Sequence, residues 1–259
     1  MKSEQLNISV LFEPAVRAAL NLAEASAVVI DAIRATTSIV AAMAAGCREV
    51  VPYRTAEEVR AEAARRPAGS VVTAGERKGV RIEGLDYNNS PSVMTAENVG
   101  GRTLLLTTTN GTQAILDARA AREVLIAAMP NRRAVARRLA ALGRRVVFVS
   151  AGTVGTVSCE DTLVAGAVIA ALLDEKRCQA PFSAWHLEDS ALVALAAWQG
   201  AERRLGELFH QTWGGAYIAR LGLEADLAVC TQVDTMDVLP LAQSSLRLAR
   251  GNPPVIAAG

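Results

Sequence analysis

One pattern recurs along this chain and limits the folds open to it. Short β-branched or aliphatic runs end in polar turns rich in glycine or threonine, and alanine-rich helical segments follow. The runs cover residues 27–30, 70–74, 103–107, 124–127 and 146–149. This alternation predicts an α/β fold, layered α/β/α, with a largely parallel or mixed sheet. Ligands of such folds bind beyond the carboxyl ends of the strands, which is where these polar turns lie.

The size and hydrophobicity of the chain allow one large unit. With 259 residues and 51% hydrophobic content, it can bury a sizeable core. We expect a single α/β domain over residues 1–259, or two packed lobes that meet near residues 142–145. Residues 221–230 are interpreted as a turn followed by a late strand.

The charge and hydropathy of the chain argue against two classes of partner. The formal net charge is +1, without the basic excess typical of nucleic-acid binders. The longest apolar run, residues 163–173, is shorter than the ~20 residues of a membrane-spanning helix. The N-terminus lacks the apolar core of a signal peptide. We therefore expect no nucleic-acid partner, no membrane partner and a cytoplasmic location.

A carboxylate and a guanidinium follow the first of these runs. Asp31 closes it, and Arg34 comes about one helical turn later. The carboxylate could bind a hard cation, and the arginine could hold a phosphate or a carboxylate. From spacing alone, a simple Asp–Arg pair at a helix start is favoured.

The string from Thr107 to Thr112 is the most unusual in the chain. Thr108, Thr109 and Asn110 precede Gly111 at a predicted helix N-terminus, where backbone N–H groups favour an anion. An ordinary helix cap is the alternative, but it needs only one such side chain. We weigh the two interpretations equally.

Another polar turn follows the run at residues 146–149. Gly152 and Thr153 lie in this turn, and Glu160 and Asp161 come where the next helix should begin. The two acids could bind Mg²⁺, or one could act as a general base on water. Compensation of the helix dipole is the alternative, and from this string alone it is slightly favoured because such acids are common in a first turn.

Two further strings add polar groups. Glu76 and Arg77 follow the run at residues 70–74, and Asn89 and Ser90 form part of a predicted turn before Pro91. These side chains could contact a bound oxyanion.

Several phosphatase mechanisms lack their sequence signature here. No cysteine has an arginine at the C-x₅-R spacing, and Asp31 is not followed by the second acid of a D-x-D motif. A Walker loop and a G-x-G-x-x-G fingerprint are also missing from the sequence. Metal-assisted attack by water remains.

Taken together, these strings resemble those of the Mg²⁺-dependent 2-phosphosulfolactate phosphatases of coenzyme M biosynthesis. The resemblance extends from about residue 27 to about residue 240, and the order and number of the strings make chance agreement improbable. The matching strings are DAIRATTS (31–38), GER (75–77), NSP (89–91), TTNGT (108–112), Asn131 with AVA (134–136), AGT (151–153), EDTLVAG (160–166), GLEAD (222–226) and VLP (238–240).

The resemblance implies hydrolysis of 2-phospho-3-sulfolactate to 3-sulfolactate and phosphate with Mg²⁺. The partner would be a small anionic phospho-acid. There are two competing hypotheses. In the first, the same chemistry acts on another small phosphorylated hydroxy acid, and in the second, the chain is a non-catalytic anion-binding module. Candidate catalytic residues are Asp31, Glu76, Glu160 and Asp161. Of these, Asp31, Glu160 and Asp161 are also the candidate magnesium ligands. Candidate substrate-binding residues are Arg34, Thr36, Thr37, Arg77, Asn89, Ser90, Thr108, Thr109, Asn110, Gly111, Gly152 and Thr153.

Two positions depart from the resemblance. Asn88 stands where the family's turn has glycine, and Trp213 stands where the family tends to have histidine before Gly214. Both departures bear on the substrate more than on the class of reaction. A possible homodimer is expected from base rates alone, because two-fold dimers are the commonest oligomers of soluble proteins.

Overall fold

A computed structural model of the chain describes residues 6–15, 21–177, 185–242 and 246–251. Its strands form two sheets, one of seven strands and one of four. The strands are β1 (Leu6–Leu11), β2 (Ser26–Ile30), β3 (Glu49–Pro52), β4 (Val71–Arg77), β5 (Val80–Arg81), β6 (Thr103–Thr107), β7 (Glu123–Ala127), β8 (Val146–Ser150), β9 (Trp185–Leu187), β10 (Leu239–Ala242) and β11 (Ala249–Gly251).

The larger sheet has the order β11-β10-β7-β2-β8-β1-β9. From β7 to β9 all neighbours are parallel, whereas β10 and β11 are antiparallel. Every residue of β2, β7 and β8 is buried. Continuous apolar strands of this kind are expected when both faces of a parallel sheet are covered.

The smaller sheet has the order β3-β6-β4-β5. Strands β3, β6 and β4 are parallel, and β5 pairs antiparallel with the end of β4. Strand β6 is central and entirely buried.

Helices cover the sheets and connect their strands. Their bounds are α1 (Ala35–Ala44), α2 (Ala56–Ala63), α3 (Ala96–Val99), α4 (Gly111–Asp117), α5 (Arg132–Leu142), α6 (Cys159–Arg177), α7 (Asp189–Ala201), α8 (Leu205–Gln211), α9 (Trp213–Arg220) and α10 (Glu224–Cys230). Short 3-10 segments lie at Pro91–Val93, Ala118–Ala120, Met129–Asn131 and Glu202–Arg204.

The two faces of the larger sheet belong to different hydrophobic cores. Val28 and Ile30 of β2 pack into a core that includes residues of α5, α6 and α7. Ala27 and Val29 pack on the opposite side with residues of α1, α4 and the smaller sheet. The side chains of a strand alternate between its faces, so one short strand contributes to both cores.

The α/β prediction with a parallel or mixed sheet is confirmed, and the sequence runs at residues 27–30, 103–107, 124–127 and 146–149 all lie in strands. The late strand predicted within residues 221–230 is wrong. That segment forms α10, and its buried residues Asp226, Leu227 and Cys230 lie on one helical face. Residues 143–145 connect the end of α5 to β8, which is a strand of the larger sheet.

Among the residues that the structure describes, no helix combines the length and the apolar character needed to cross a membrane.

Candidate active site

A cavity of about 440 Å³ lies where the carboxyl ends of strands from both sheets meet. The loops after β2, β6 and β8 reach it, together with the end of β4. Ten of the predicted site residues line this cavity: Asp31, Arg34, Glu76, Asn89, Thr109, Asn110, Gly152, Thr153, Glu160 and Asp161. The geometry therefore brings together residues that are up to 130 positions apart in the sequence (161 − 31 = 130).

Asp31 follows β2 directly and is buried. The backbone N–H of Ala35 donates to Oδ1 at 3.3 Å. Gly111 packs so close to the carboxylate that a Cβ there would lie 2.6 Å from Oδ2. Glycine is therefore needed at position 111 for α4 to approach the site. Burial raises the pKa of Asp31 to about 7, and the negative charges of Glu76 and Glu160 add to the rise.

Glu160 and Asp161 lie in the first turn of α6 and are both buried. Burial raises the pKa of Glu160, although its own backbone N–H and, less strongly, the side chains of Thr212 and Ser158 partly oppose this. A Cβ on Gly214 would lie 2.3 Å from Oε1 of Glu160, so the start of α9 packs directly against this carboxylate.

Asp161 uses both carboxylate oxygens to hold two loops. Its Oδ1 accepts the N–H of Ala32 at 2.9 Å, and its Oδ2 accepts the N–H of Gly152 at 3.1 Å. Burial raises its pKa well above the usual range, and the charges of Asp31 and Glu160 raise it further. Asp161 thus ties the loop after β2 to the loop after β8 while adding to the negative charge of the cavity.

Glu76 is held by three donors. Its Oε1 accepts the N–H of Thr109 at 2.7 Å, and its Oε2 accepts the N–H of Gly79 at 2.7 Å and the hydroxyl of Thr109 at 3.1 Å. The side chain therefore joins the β4–β5 turn to the loop after β6.

The guanidinium of Arg34 is buried and paired with Asp226 of α10. Its Nη1 donates to Oδ2 of Asp226 at 2.6 Å, and both side chains are 1% exposed. The hydroxyls of Ser90 and Ser92 donate to the other oxygen of Asp226. Ser90 therefore supports Asp226 and does not line the cavity.

The two asparagines of the turn before Ser90 have different environments. Asn88 donates to the carbonyl of Gly79 at 3.0 Å and accepts the N–H of Asn89 at 2.7 Å. Asn89 is buried at the cavity wall, and its Oδ1 has no hydrogen-bond partner among the described residues. A buried polar atom without a hydrogen-bond partner costs free energy, so the amide oxygen is a candidate for contact with a ligand.

The other predicted site residues support the loops and do not line the cavity. The hydroxyls of Thr36 and Thr37 donate to the carbonyls of Asp31 and Ala32 at 2.9 and 2.8 Å. Thr108 exchanges hydrogen bonds with Thr112 at the start of α4.

The guanidinium of Arg77 also contacts protein groups instead of the cavity. It donates to the carbonyls of Glu76 and Arg54 at 2.7 and 3.0 Å and to the hydroxyl of Thr107 at 3.1 Å. The cation at the cavity wall is the next residue, Lys78.

Lys78, Ser158, Trp213 and Tyr217 also line the cavity but were not among the predicted site residues. Trp213 and Tyr217 lie one helical turn apart at the start of α9 and stack with ring centroids 5.1 Å apart. Both residues lie outside the sequence strings that carry the resemblance. Apart from the departure at Trp213, the sequence therefore did not indicate that they line the cavity.

The carboxylates of the cavity suit a hard cation, although they do not form a closed cage. Within the described ranges, no group of three His, Cys, Asp or Glu side chains is arranged to hold a metal ion. Mg²⁺ commonly takes only one or two carboxylates and completes its shell with water and substrate phosphate oxygens. Asp31 and Glu160 fit that requirement, because their buried charges are not balanced by a neighbouring cation in the way that Asp226 is.

Comparisons with known proteins identify the family of this chain. The sequence model of the 2-phosphosulpholactate phosphatase family matches residues 14–245. A probable 2-phosphosulfolactate phosphatase of Symbiobacterium thermophilum is 40% identical over 85% of this chain and 92% of its own length. Proteins with the same description from Synechococcus sp. and Clostridium acetobutylicum are 37% and 36% identical, each over 83% of this chain and 88% of their own length. Since the match covers most of the chain and most of each relative, this chain belongs to the 2-phosphosulfolactate phosphatase family.

Proposed function

We propose that this chain hydrolyses the phosphate ester of 2-phospho-3-sulfolactate, giving 3-sulfolactate and inorganic phosphate, with Mg²⁺ as its cofactor. The observation that carries the proposal is the pair of buried carboxylates, Asp31 and Glu160, in one cavity with Lys78 and the unpartnered Asn89. Family membership supports the choice of substrate, because the relatives carry that substrate in their names.

The chain's own residues can orient the substrate. Lys78 supplies a positive charge at the cavity wall. Asn89 offers a buried amide oxygen, an acceptor that suits a hard cation, whereas the loop of Thr109 and Asn110 leads into the N-terminal backbone amides of α4. An anionic group is stabilised where such amides and a cation converge.

Asp31 and Glu160 divide two tasks between them, which are holding the cation and removing a proton from the attacking water. Bound Mg²⁺ would neutralise phosphoryl oxygens and lower the pKa of water. The water oxygen forms a bond to phosphorus, the ester P–O bond breaks, and the departing oxygen takes a proton to become the hydroxyl of sulfolactate. With a pKa raised to about 7, Asp31 is suited to proton exchange near neutral pH, and burial raises the pKa of Glu160 in the same direction.

Phosphate release from 2-phospho-3-sulfolactate, with Mg²⁺ and with EDTA, tests the proposal. We expect turnover only with Mg²⁺, and competitive inhibition by 3-sulfolactate but not by lactate. Tight binding of sulfolactate without any hydrolysis in excess Mg²⁺ would contradict the proposed reaction and favour a binding module.

A further inference from the structure

The cavity has an apolar wall that the proposed substrate does not use. It is lined by Ile33 of the loop after β2, by Val154 of the loop after β8, and by Trp213, Tyr217 and Ile218 of α9. Phosphosulfolactate has a three-carbon skeleton with charged groups at every carbon. The volume of about 440 Å³ falls within the range of roughly 300–1,000 Å³ found for sites of drug-sized ligands.

The aromatic pair on α9 is held by contacts within the protein. The rings of Trp213 and Tyr217 are stacked with an angle of 10° between their planes. The Tyr217 hydroxyl donates to the carbonyl of Lys78 at 3.0 Å, which anchors the pair to the β4–β5 turn. Trp213 nevertheless remains 56% exposed, so much of the indole surface faces solvent at the cavity.

The loop after β8 presents a second exposed apolar side chain to the same cavity. Val154 is 70% exposed and has a φ of +53°, which is unfavourable for a β-branched residue. Backbone strain at such positions is concentrated at ligand-binding sites. Covering Val154 and Trp213 with a ligand would remove apolar surface from water.

The charges of the cavity do not favour an additional anionic group at this wall. The guanidinium of Arg34 is already paired with Asp226. Among the described lining residues, Lys78 is the only other cation, while Asp31, Glu76, Glu160 and Asp161 are acidic. An uncharged substituent can therefore lie against the apolar wall without a counter-ion.

We propose that this wall is a subsite for an aromatic substituent on carbon 3 of a 2-phospho acid, so that the enzyme also hydrolyses phosphate esters of aryl-substituted 2-hydroxy acids. This inference rests on the proposed phosphatase function and extends its range of substrates. The reaction is unchanged: water oxygen bonds to phosphorus, the ester P–O bond breaks, and the 2-hydroxy acid keeps the ester oxygen and gains a proton. The aryl ring stacks on Trp213.

The test compares kcat/KM for 2-phospho-3-phenyllactate and 2-phospholactate, which differ only in the phenyl ring, with phosphosulfolactate as a reference. We expect the phenyl ester to be preferred by about tenfold, the size of effect that aromatic stacking and apolar burial provide. In Trp213→Ala this ratio falls to about one, and Trp213→Phe retains part of it. Leu192→Ala removes an equally exposed apolar side chain outside the cavity and keeps the parent ratio.

Three results would overturn the subsite. The first is equal kcat/KM for the two esters, and the second is a preference that survives in Trp213→Ala. The third is loss of activity on every substrate together with a change in sedimentation mass, since Trp213 would then hold an interface between copies of the chain.

The subsite can also be tested if the proposed function fails. If no ester is hydrolysed, calorimetry of 3-phenyllactate and lactate gives a readout that does not depend on turnover. Tighter binding of phenyllactate by the parent, lost in Trp213→Ala, would support the subsite, and equal binding of the two acids would overturn it.

Discussion

Two buried groups of charges lie next to each other in this molecule, and their surroundings differ. In the Arg34–Asp226 pair, the carboxylate accepts from one guanidinium and two hydroxyls. At Asp31 and Glu160, burial raises the pKa of each carboxylate, neither forms a salt bridge among the described residues, and the nearby charge of Arg34 only partly offsets the rise at Asp31. The first group is balanced within the protein, whereas the second is left with excess negative charge.

The difference indicates what each group is for. A buried pair that is fully hydrogen-bonded fixes the position of its loops, and breaking it leaves an uncompensated charge. Carboxylates held together without a counter-ion destabilise the fold, so their retention points to a ligand that supplies the missing charge. We interpret Arg34 and Asp226 as positioning residues and the acidic group as the place where chemistry occurs.

The largest expected effect is on activity. Asp31→Asn keeps an acceptor for the N–H of Ala35 but removes the charge. We expect kcat for phosphosulfolactate to fall by about 10²–10⁴-fold, as is typical when a general base is lost. Asp237→Asn, at a 70% exposed side chain, is the matched control and should retain parent kcat. Full turnover in Asp31→Asn would refute the assignment of Asp31.

The next effect is on stability. Asp226→Ala leaves the buried guanidinium of Arg34 without its carboxylate, and we expect the free energy of unfolding to fall by about 3–5 kcal/mol. Urea unfolding measures it. The double variant Arg34→Met/Asp226→Leu should recover most of the loss, because apolar groups can replace a buried pair. A loss below about 1 kcal/mol in Asp226→Ala would show that the pair is not needed for folding.

The acidic group predicts an unusual dependence of stability on pH when no divalent cation is present. The pKa of Asp31 rises from 3.8 to about 7 on folding. The folded state therefore binds the proton more tightly, and this stabilisation is complete below pH 3.8 and is lost as pH rises through 7. We expect the contribution of Asp31 to weaken by about 1–4 kcal/mol between pH 4 and 8, and Asp31→Asn to be more stable than the parent at pH 8.

Urea unfolding in EDTA at several pH values measures this dependence. A parent protein whose stability increases from pH 5 to pH 8, or an Asp31→Asn variant that is less stable than the parent at pH 8, would contradict the prediction.

The smallest expected effect is on KM, and it distinguishes the roles of two neighbouring cations. Lys78 lines the cavity, whereas Arg77 donates to the carbonyls of Glu76 and Arg54. Lys78→Ala should raise KM for phosphosulfolactate about tenfold, the worth of one hydrogen bond to a charged group. Arg77→Ala should change KM by less than about threefold. The opposite order would show that Arg77 reaches the substrate.

The sequence predicted the parts of the site that lie at strand ends. Asp31, Asn110 and Glu160 each follow a β-branched or aliphatic run, and the topology of parallel strands brings such positions together. Residues remote from these runs could not be placed in this way. The segment 221–230, which contains Asp226, was interpreted as a turn followed by a late strand, because a seven-residue helix carries little periodicity.

The direction of individual side chains is the other feature of the site that the sequence does not predict. Arg77 and Lys78 are consecutive, and successive side chains of a strand point to opposite faces. The residue at which the strand ends therefore decides which of the two faces the cavity. Strand β4 continues through Arg77 and the chain turns at Lys78, where φ is +51°. The sequence string alone does not show where that turn begins.

The most direct measurement of the central claim is calorimetric titration of Mg²⁺ into the parent protein and into Asp31→Asn at pH 8, with 3-sulfolactate present. If the buried carboxylates are held without a counter-ion for a hard cation, the parent binds one Mg²⁺ and the variant binds none or binds far more weakly. Equal binding by the two proteins, or no binding by the parent, would contradict the claim.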